Sequence, residues 1–229
     1  MAFGNGPKIV TDGLVLALDA SDQNSYISGS AIWKDVSGNG YHFTNYGANF
    51  SNNTFTFSSS SLQYMQGSIS SNQMGLYSGS FTVESVCSCS TPSTVNGAVF
   101  SFTNSSGLVY GTLGLVSRNN AGFLISNYGD DYYFGEPLVA NQWYNAVAVF
   151  NINTSTFITY INGVYKSTST ANIHSLTSQA SNYIKIGKYD YGGGYWNGNI
   201  STIKIYNRAL SATEVLQNYN ALKSRFNLT

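Results

Sequence analysis

Two segments set aromatic rings beside groups that hydrogen-bond. One is Tyr128-Gly129-Asp130-Asp131-Tyr132-Tyr133-Phe134-Gly135-Glu136, the other Tyr189-Asp190-Tyr191-Gly192-Gly193-Gly194-Tyr195-Trp196-Asn197. Carboxylates and amides can take up hydroxyl groups, and a flat ring can cover an apolar C–H face. That pairing suits a sugar, and loops on a rigid scaffold commonly carry such sites. The candidate ligand-binding residues are therefore Tyr128, Asp130, Asp131, Tyr132, Asp190, Tyr191 and Tyr195. The competing reading packs these rings on the fold or against a neighbouring subunit, and for Trp196 packing is the expectation.

Residues that could carry covalent chemistry are sparse. Glu84 stands alone on its segment and is expected to face solvent or a polar partner. Asp130 and Asp131 are adjacent, so on a strand they would point to opposite faces; on a loop they could meet, and a solvated turn after Tyr128-Gly129 is the expectation. No nucleophile–His pairing is visible: His42 follows Tyr41, His174 sits in the polar stretch Ala171–Ser175, and both read as surface or satisfied core histidines. Gly192-Gly193-Gly194 lacks the lysine of a phosphate loop. Cys87 and Cys89 would project from one face of a strand about 7 Å apart, too far for an unstrained disulfide, and read as core residues. From this inventory no catalytic residues, no enzymatic activity, no metal and no cofactor are expected.

Charged residues make up 9% of the 229 residues, and ten Lys plus Arg balance ten Asp plus Glu. So few cations argue against nucleic acid as a partner, because phosphate affinity comes from Lys and Arg displacing counterions. No apolar run approaches the roughly 20 residues of a membrane helix. The first residues do not read as a secretory signal. Aromatics at 15% can bury a core, which excludes disorder. The surface is expected to be Ser, Thr, Asn, Gly and Tyr, which suits a protein held in an assembly or working outside a cell.

Short apolar or alternating runs punctuated by Gly, Asn and Ser predict strands, among them Leu14–Leu18, Ser80–Cys89, Trp143–Phe150, Thr156–Ile161 and Asn199–Tyr206. Asn162-Gly163 predicts a two-residue hairpin turn, since both positions accept positive φ. Trp143–Phe150 is apolar on both faces and predicts a central strand. Ser211-Ala212-Thr213-Glu214 has capping-box spacing, and Val215, Leu216, Tyr219 and Leu222 follow on one face. A C-terminal helix is expected over about 212–225. No linker divides the chain, so residues 13–229 are read as one domain behind an extended arm, residues 1–12. The fold class expected is an all-β antiparallel sandwich with one C-terminal helix.

The order of these segments resembles laminin-G-like, concanavalin A-like domains. Gly13–Ala20 with Trp33–Gly40 resembles their opening and Phe81-Thr82-Val83-Glu84 a central-strand signature. Trp143-Tyr144 with Tyr160-Ile161-Asn162-Gly163-Val164 matches a further motif, and Ile205-Tyr206-Asn207-Arg208-Ala209-Leu210-Ser211 looks like the closing strand and helix entry. The resemblance implies a jelly roll of two curved sheets. The best-known glycoside hydrolase family of the fold carries Glu-x-Asp-x-x-Glu on one strand, and no such run occurs here. Calcium-binding relatives of the pentraxin kind leave only Asn104 and Asp190 as candidate calcium ligands, so calcium is weakly supported. The closing motif is similar to domains found in tailed-phage structural proteins and in bacterial surface proteins. The function this implies is a virion structural protein, as a capsid decoration or a fibre or tail surface component. Its partners would be other virion proteins and copies of itself, with a trimer suiting such a role, and its place the virion surface. The alternative is a glycan-binding adhesion module outside the cell that recognises cell-surface glycans.

Overall fold

The computed structural model describes residues 7–69, 73–76, 79–92, 94, 96–103, 113–118, 121–127, 130–170, 183–190 and 194–229. Strands β1 (Leu14–Asp19), β2 (Ile32–Trp33), β3 (Phe43–Tyr46), β4 (Asn49–Ser51), β5 (Thr54–Phe57) and β6 (Tyr64–Gly67) form the first part. Next come β7 (Phe81–Cys89), β8 (Asn96–Thr103), β9 (Leu113–Arg118), β10 (Phe123–Asn127), β11 (Asp130–Tyr133) and β12 (Trp143–Asn151). The chain closes with β13 (Thr156–Ile161), β14 (Val164–Thr170), β15 (Tyr183–Ile186), β16 (Lys188–Tyr189), β17 (Gly194–Tyr195), β18 (Gly198–Tyr206) and α1 (Ala212–Phe226).

Two antiparallel sheets make a sandwich, as the alternation predicts. Sheet A runs β14-β13-β12-β7-β18-β5-β4, with β1 pairing the second half of β18 beyond a bulge. Sheet B runs β11-β10-β9-β8-β15-β6-β3-β2. Their inner faces share one core, to which β7 contributes Phe81, Val83, Cys87 and Cys89, β12 contributes Tyr144, Ala146, Ala148 and Phe150, and β8 and β10 contribute Phe100, Phe102, Phe123 and Ile125. Every residue of β7 is buried, because its inner side meets this core and its outer side meets the helix. Both cysteines are free and buried.

Helix α1 covers the outer face of sheet A. Ser211 Oγ accepts from the Glu214 N–H, and Glu214 accepts from the Ser211 N–H, the reciprocal cap its spacing predicts. Its buried positions are Val215, Asn218 and Leu222. Asn218, not the half-exposed Leu216, fills the inward place between the apolar ones. It is inward because the face below is polar there: Glu84 is fully buried rather than solvated, and Asn218 donates to it at 2.7 Å. Residues 8–12 lie against this layer. The Val10 N–H donates to Asn218 Oδ1, the Tyr206 hydroxyl donates to the Val10 carbonyl, and Asp12 pairs with Arg208.

The outer face of sheet B carries a different cover, the hairpin β16–β17. It lies so close that a Cβ on Gly97 would stand 2.4 Å from the Tyr195 backbone, and one on Gly194 would stand 1.6 Å from the Asn96 carbonyl oxygen. Glycine at both positions is thus a packing requirement. Strands β2, β4 and β17 fall outside the sequence expectation because two or three residues hold no period, and Asp130 and Asp131, expected in a solvated turn, instead lie on β11, which pairs with β10.

Candidate functional site

The residues singled out as ligand candidates separate on folding. Asp130, Asp131 and Tyr132 lie on the edge strand β11. Tyr132 points inward and packs against Phe157 in the core. Asp131 points outward and forms an ion pair with Arg118, which also donates to Ser126 Oγ. Asp130 is half-buried opposite Asn127 in the ladder. Asp190 follows β16 and holds two cations, Lys185 Nζ at 2.6 Å and Lys188 Nζ at 3.3 Å. Tyr195 lies on β17 with Lys188 Nζ 5.2 Å from its ring centre. Tyr128, Tyr191, Asn104 and His174 lie outside the described residues. Trp196 is fully buried and stacks on Phe123. His42 accepts the Asp35 N–H through Nδ1.

On the outer face of sheet B these groups form a brace. Tyr189 packs its ring on Ala98, Val116 and Leu124, and Lys188 sits between the rings of Tyr64 and Tyr195. Burial opposes the charge on Lys188, but the Tyr195 hydroxyl and the Asp190 carboxylate outweigh it and raise its pKa. Tyr46 stacks on Tyr64 at 4.8 Å and is about half exposed. Asp131 and Asp190 are therefore engaged by cations of the chain itself. For Asp190, two ammonium neighbours disfavour a third cation in the same place. Among the described residues, no three His, Cys, Asp or Glu side chains converge, and no helix is long and apolar enough to cross a membrane.

A cleft of about 410 Å³ opens on the other sheet, between the β4–β5 turn and the end of α1. Thr56, Asn199 and Trp143 line its floor, and they belong to one row across four strands of sheet A: Thr56 opposite Asn199, Asn199 opposite the buried Ser88, and Ser88 opposite Trp143. The row is knitted by hydrogen bonds from Thr56 Oγ1 to Asn199 Oδ1 and from Asn199 Nδ2 to Ser88 Oγ. One wall is the turn Asn52-Asn53, with φ of 50° and 60°. Asparagine tolerates this left-handed backbone, and two such residues suit a tight hairpin. The other wall is Arg225, Phe226 and Asn227, where the helix ends in a left-handed cap at φ 49°.

The side chains of Asn52, Asn53 and Asn227 make no hydrogen bond to other described residues, so three carboxamides face the cleft with donors and acceptors to spare. Arg225 is held in a two-pronged pair with Asp19 at 2.7 and 3.0 Å. Trp143 and Phe226 meet at 5.2 Å between ring centres and supply an apolar flank. Nothing in the sequence marks this group, because it is drawn from five separate stretches of chain. Only the paired asparagines between β-forming runs are a local signal, and that signal reads as a turn.

Two packed antiparallel sheets with a capped helix define a lectin-like sandwich, and the chain belongs to the concanavalin A-like lectin/glucanases superfamily, whose laminin-G-type family model matches residues 63–216. Among solved structures, it is similar to the Trypanosoma rangeli sialidase in complex with the inhibitor DANA, at 14% identity and a TM-score of 0.70, covering 96% of this chain and 34% of that one. It is also similar to the binding domain of botulinum neurotoxin DC in complex with rat synaptotagmin II, at 15% identity and a TM-score of 0.67, covering 93% of this chain and 52% of that one. Botulinum neurotoxin type C, whose cell entry depends upon interaction with two ganglioside molecules, matches at 16% identity and a TM-score of 0.68, with 93% and 52% covered. This chain thus spans between a third and about half of those proteins. No curated protein matches it in sequence.

These neighbours correct one expectation. The missing motifs point away from an enzymatic role, yet chains sharing this fold include sialidases. The missing Glu-x-Asp-x-x-Glu run excludes one arrangement of carboxylates and not enzymes of this fold as a class. At such low identity the likeness is one of fold.

Proposed function

We propose that this domain binds carbohydrate in the cleft between the β4–β5 turn and the C-terminal end of α1. The observation that carries the reading is the set of three unengaged carboxamides, Asn52, Asn53 and Asn227, facing a preformed concavity with Trp143 on its flank. Carboxamides offer both donors and acceptors, which a vicinal pair of hydroxyls requires, and the indole covers a C–H face. Arg225 is already neutralised by Asp19, so the cleft favours neutral sugars. Structural neighbours solved with sialic acid and with SialylT support carbohydrate as the ligand class. The setting we propose is the surface of a virus particle, supported by the closing Asn207–Ser211 motif and by a surface with few charges.

The test is a glycan array with the intact chain, followed by titration of the best ligand. Replacing both Asn52→Gly and Asn53→Gly keeps the turn and removes its amides. Affinity is expected to fall by about tenfold or more, which corresponds to about 1.4 kcal/mol, while Tyr64→Ala on the opposite sheet leaves it unchanged. A folded chain that binds no glycan, or a double variant that binds as well as the parent, overturns the reading. Immunogold labelling of purified particles tests the setting, and unlabelled particles refute it.

A further inference from the structure

Beneath α1, an amine, a carboxamide and a carboxylate converge. Lys204 on β18 is directly opposite Glu84 on β7. Asn145 on β12 is one diagonal step from Glu84, opposite Val86. All three are buried, with exposures of 3%, 0% and 0%. Asn145 Nδ2 donates to Glu84 Oε1 at 2.9 Å, and Lys204 Nζ stands 3.6 Å from the same oxygen. Asn218 Nδ2 holds the other carboxylate oxygen, and Asn145 is fixed along its backbone by Asn162, through both N–H and carbonyl.

Two polar atoms of this cluster lack a hydrogen-bond partner: Lys204 Nζ and Asn145 Oδ1. Buried groups left unpaired are rare and call for a physical reason. Here the two orphans belong to the two groups that can react with each other, and both of those groups contact the one carboxylate oxygen able to pass protons between them. Asn218 differs, since its Oδ1 accepts from Val10 and its Nδ2 is shared by Glu84 and Tyr206.

We propose that Lys204 and Asn145 are joined by an intramolecular isopeptide bond, with Glu84 as the proton shuttle. Glu84 takes a proton from the Lys204 ammonium and leaves a neutral amine. The Nζ electron pair attacks Cγ of Asn145, and the C=O pair moves onto Oδ1. Glu84 then gives its proton to Nδ2 and accepts one from Nζ. The Cγ–Nδ2 bond breaks, the carbonyl re-forms, and ammonia departs with the remaining proton as ammonium. One C–N bond forms, one breaks, and nothing is oxidised or reduced. The burial of all three groups keeps water from competing, and the fixed register of three neighbouring strands supplies a high effective concentration. The bond would clamp β18, which leads into the helix, across β7 to β12.

The first measurement is the intact mass of the purified full chain, expected to be lighter by one ammonia, about 17 Da. Asn-Gly pairs such as Asn162-Gly163 can also lose ammonia by cyclising, so peptide mapping decides. The expected result is a branched peptide that joins Lys204 to Asn145, absent in Glu84→Gln and in Lys204→Met. Recovery of Lys204 and Asn145 in separate linear peptides from the folded parent chain overturns the proposal. That result is read on the parent chain alone, so it stands even where a variant does not fold.

Discussion

The Tyr189 hydroxyl lies 2.8 Å from Ser126 Oγ, and this contact ties the hairpin β16–β17 to β10, far away in sequence. The ring beneath it fills a small apolar patch, and Arg118 reaches across to Ser126 and Asp131. The hairpin is thus held by packing first and by polar contacts second.

That ranking predicts unequal costs for two small substitutions. Gly97→Ala puts a methyl against the Tyr195 backbone, and overpacking against backbone costs about 1–3 kcal/mol, at the upper end because backbone cannot swing away. Tyr189→Phe keeps the ring and removes the hydrogen bond with Ser126 Oγ, worth about 1 kcal/mol. Urea melts of both variants should show the glycine change as the larger loss. An equal or reversed order would mean that the polar contacts hold the hairpin.

The two thiols should be inert while the chain is folded. Burial pushes the Cys87 thiol far above its ordinary pKa despite a hydrogen bond with Ser85, and burial pushes Cys89 up to about 11. The thiolate is the reactive form, and both groups point into the core of β7. A thiol reagent near neutral pH is expected to label neither in the native protein and both in denaturant. Rapid native labelling of either would show that the β7 end of the sandwich opens readily.

The fold was legible where sequence period and turn chemistry agree. Asn162-Gly163 marks the β13–β14 turn, with φ of 51° and 74°, and Ser211 with Glu214 marks the start of α1. These signals are local, so spacing alone carries them. Glu84 was legible as a strand residue but not as a buried one. Its partners Lys204, Asn145 and Asn218 come from three other elements, and no local pattern reports a cover laid on later in the chain. The same holds for the ligand candidates. Their residue types suit sugars, yet Arg118, Lys185 and Lys188 claim Asp131 and Asp190 through sheet pairing. The cleft was illegible because its asparagines acquire meaning only when the β4–β5 turn and the helix end face each other.

The helix entry should respond to acid in a defined direction. Arg208 grips Glu214 with both terminal guanidinium nitrogens, at 2.6 and 3.0 Å, and Ser211 adds backbone and hydroxyl donors. The Arg208 hydrogen bonds are the main cause that holds the Glu214 carboxyl down to about 2, against an opposing effect of burial. The folded pKa lies below the unfolded one, so the folded state binds this proton less readily than the unfolded chain. The resulting stability is fully present above the unfolded value of 4.5 and is lost as pH falls towards 2. Since the side chain is 28% exposed, solvent screening reduces the effect to about 1 kcal/mol. Glu214→Gln keeps part of the cap but cannot titrate. Urea melts from about pH 6 to about pH 3 should therefore show the parent chain losing its advantage over this variant as the pH drops. A difference that stays constant across that range would mean that Glu214 acts through its shape in the cap and not through its charge.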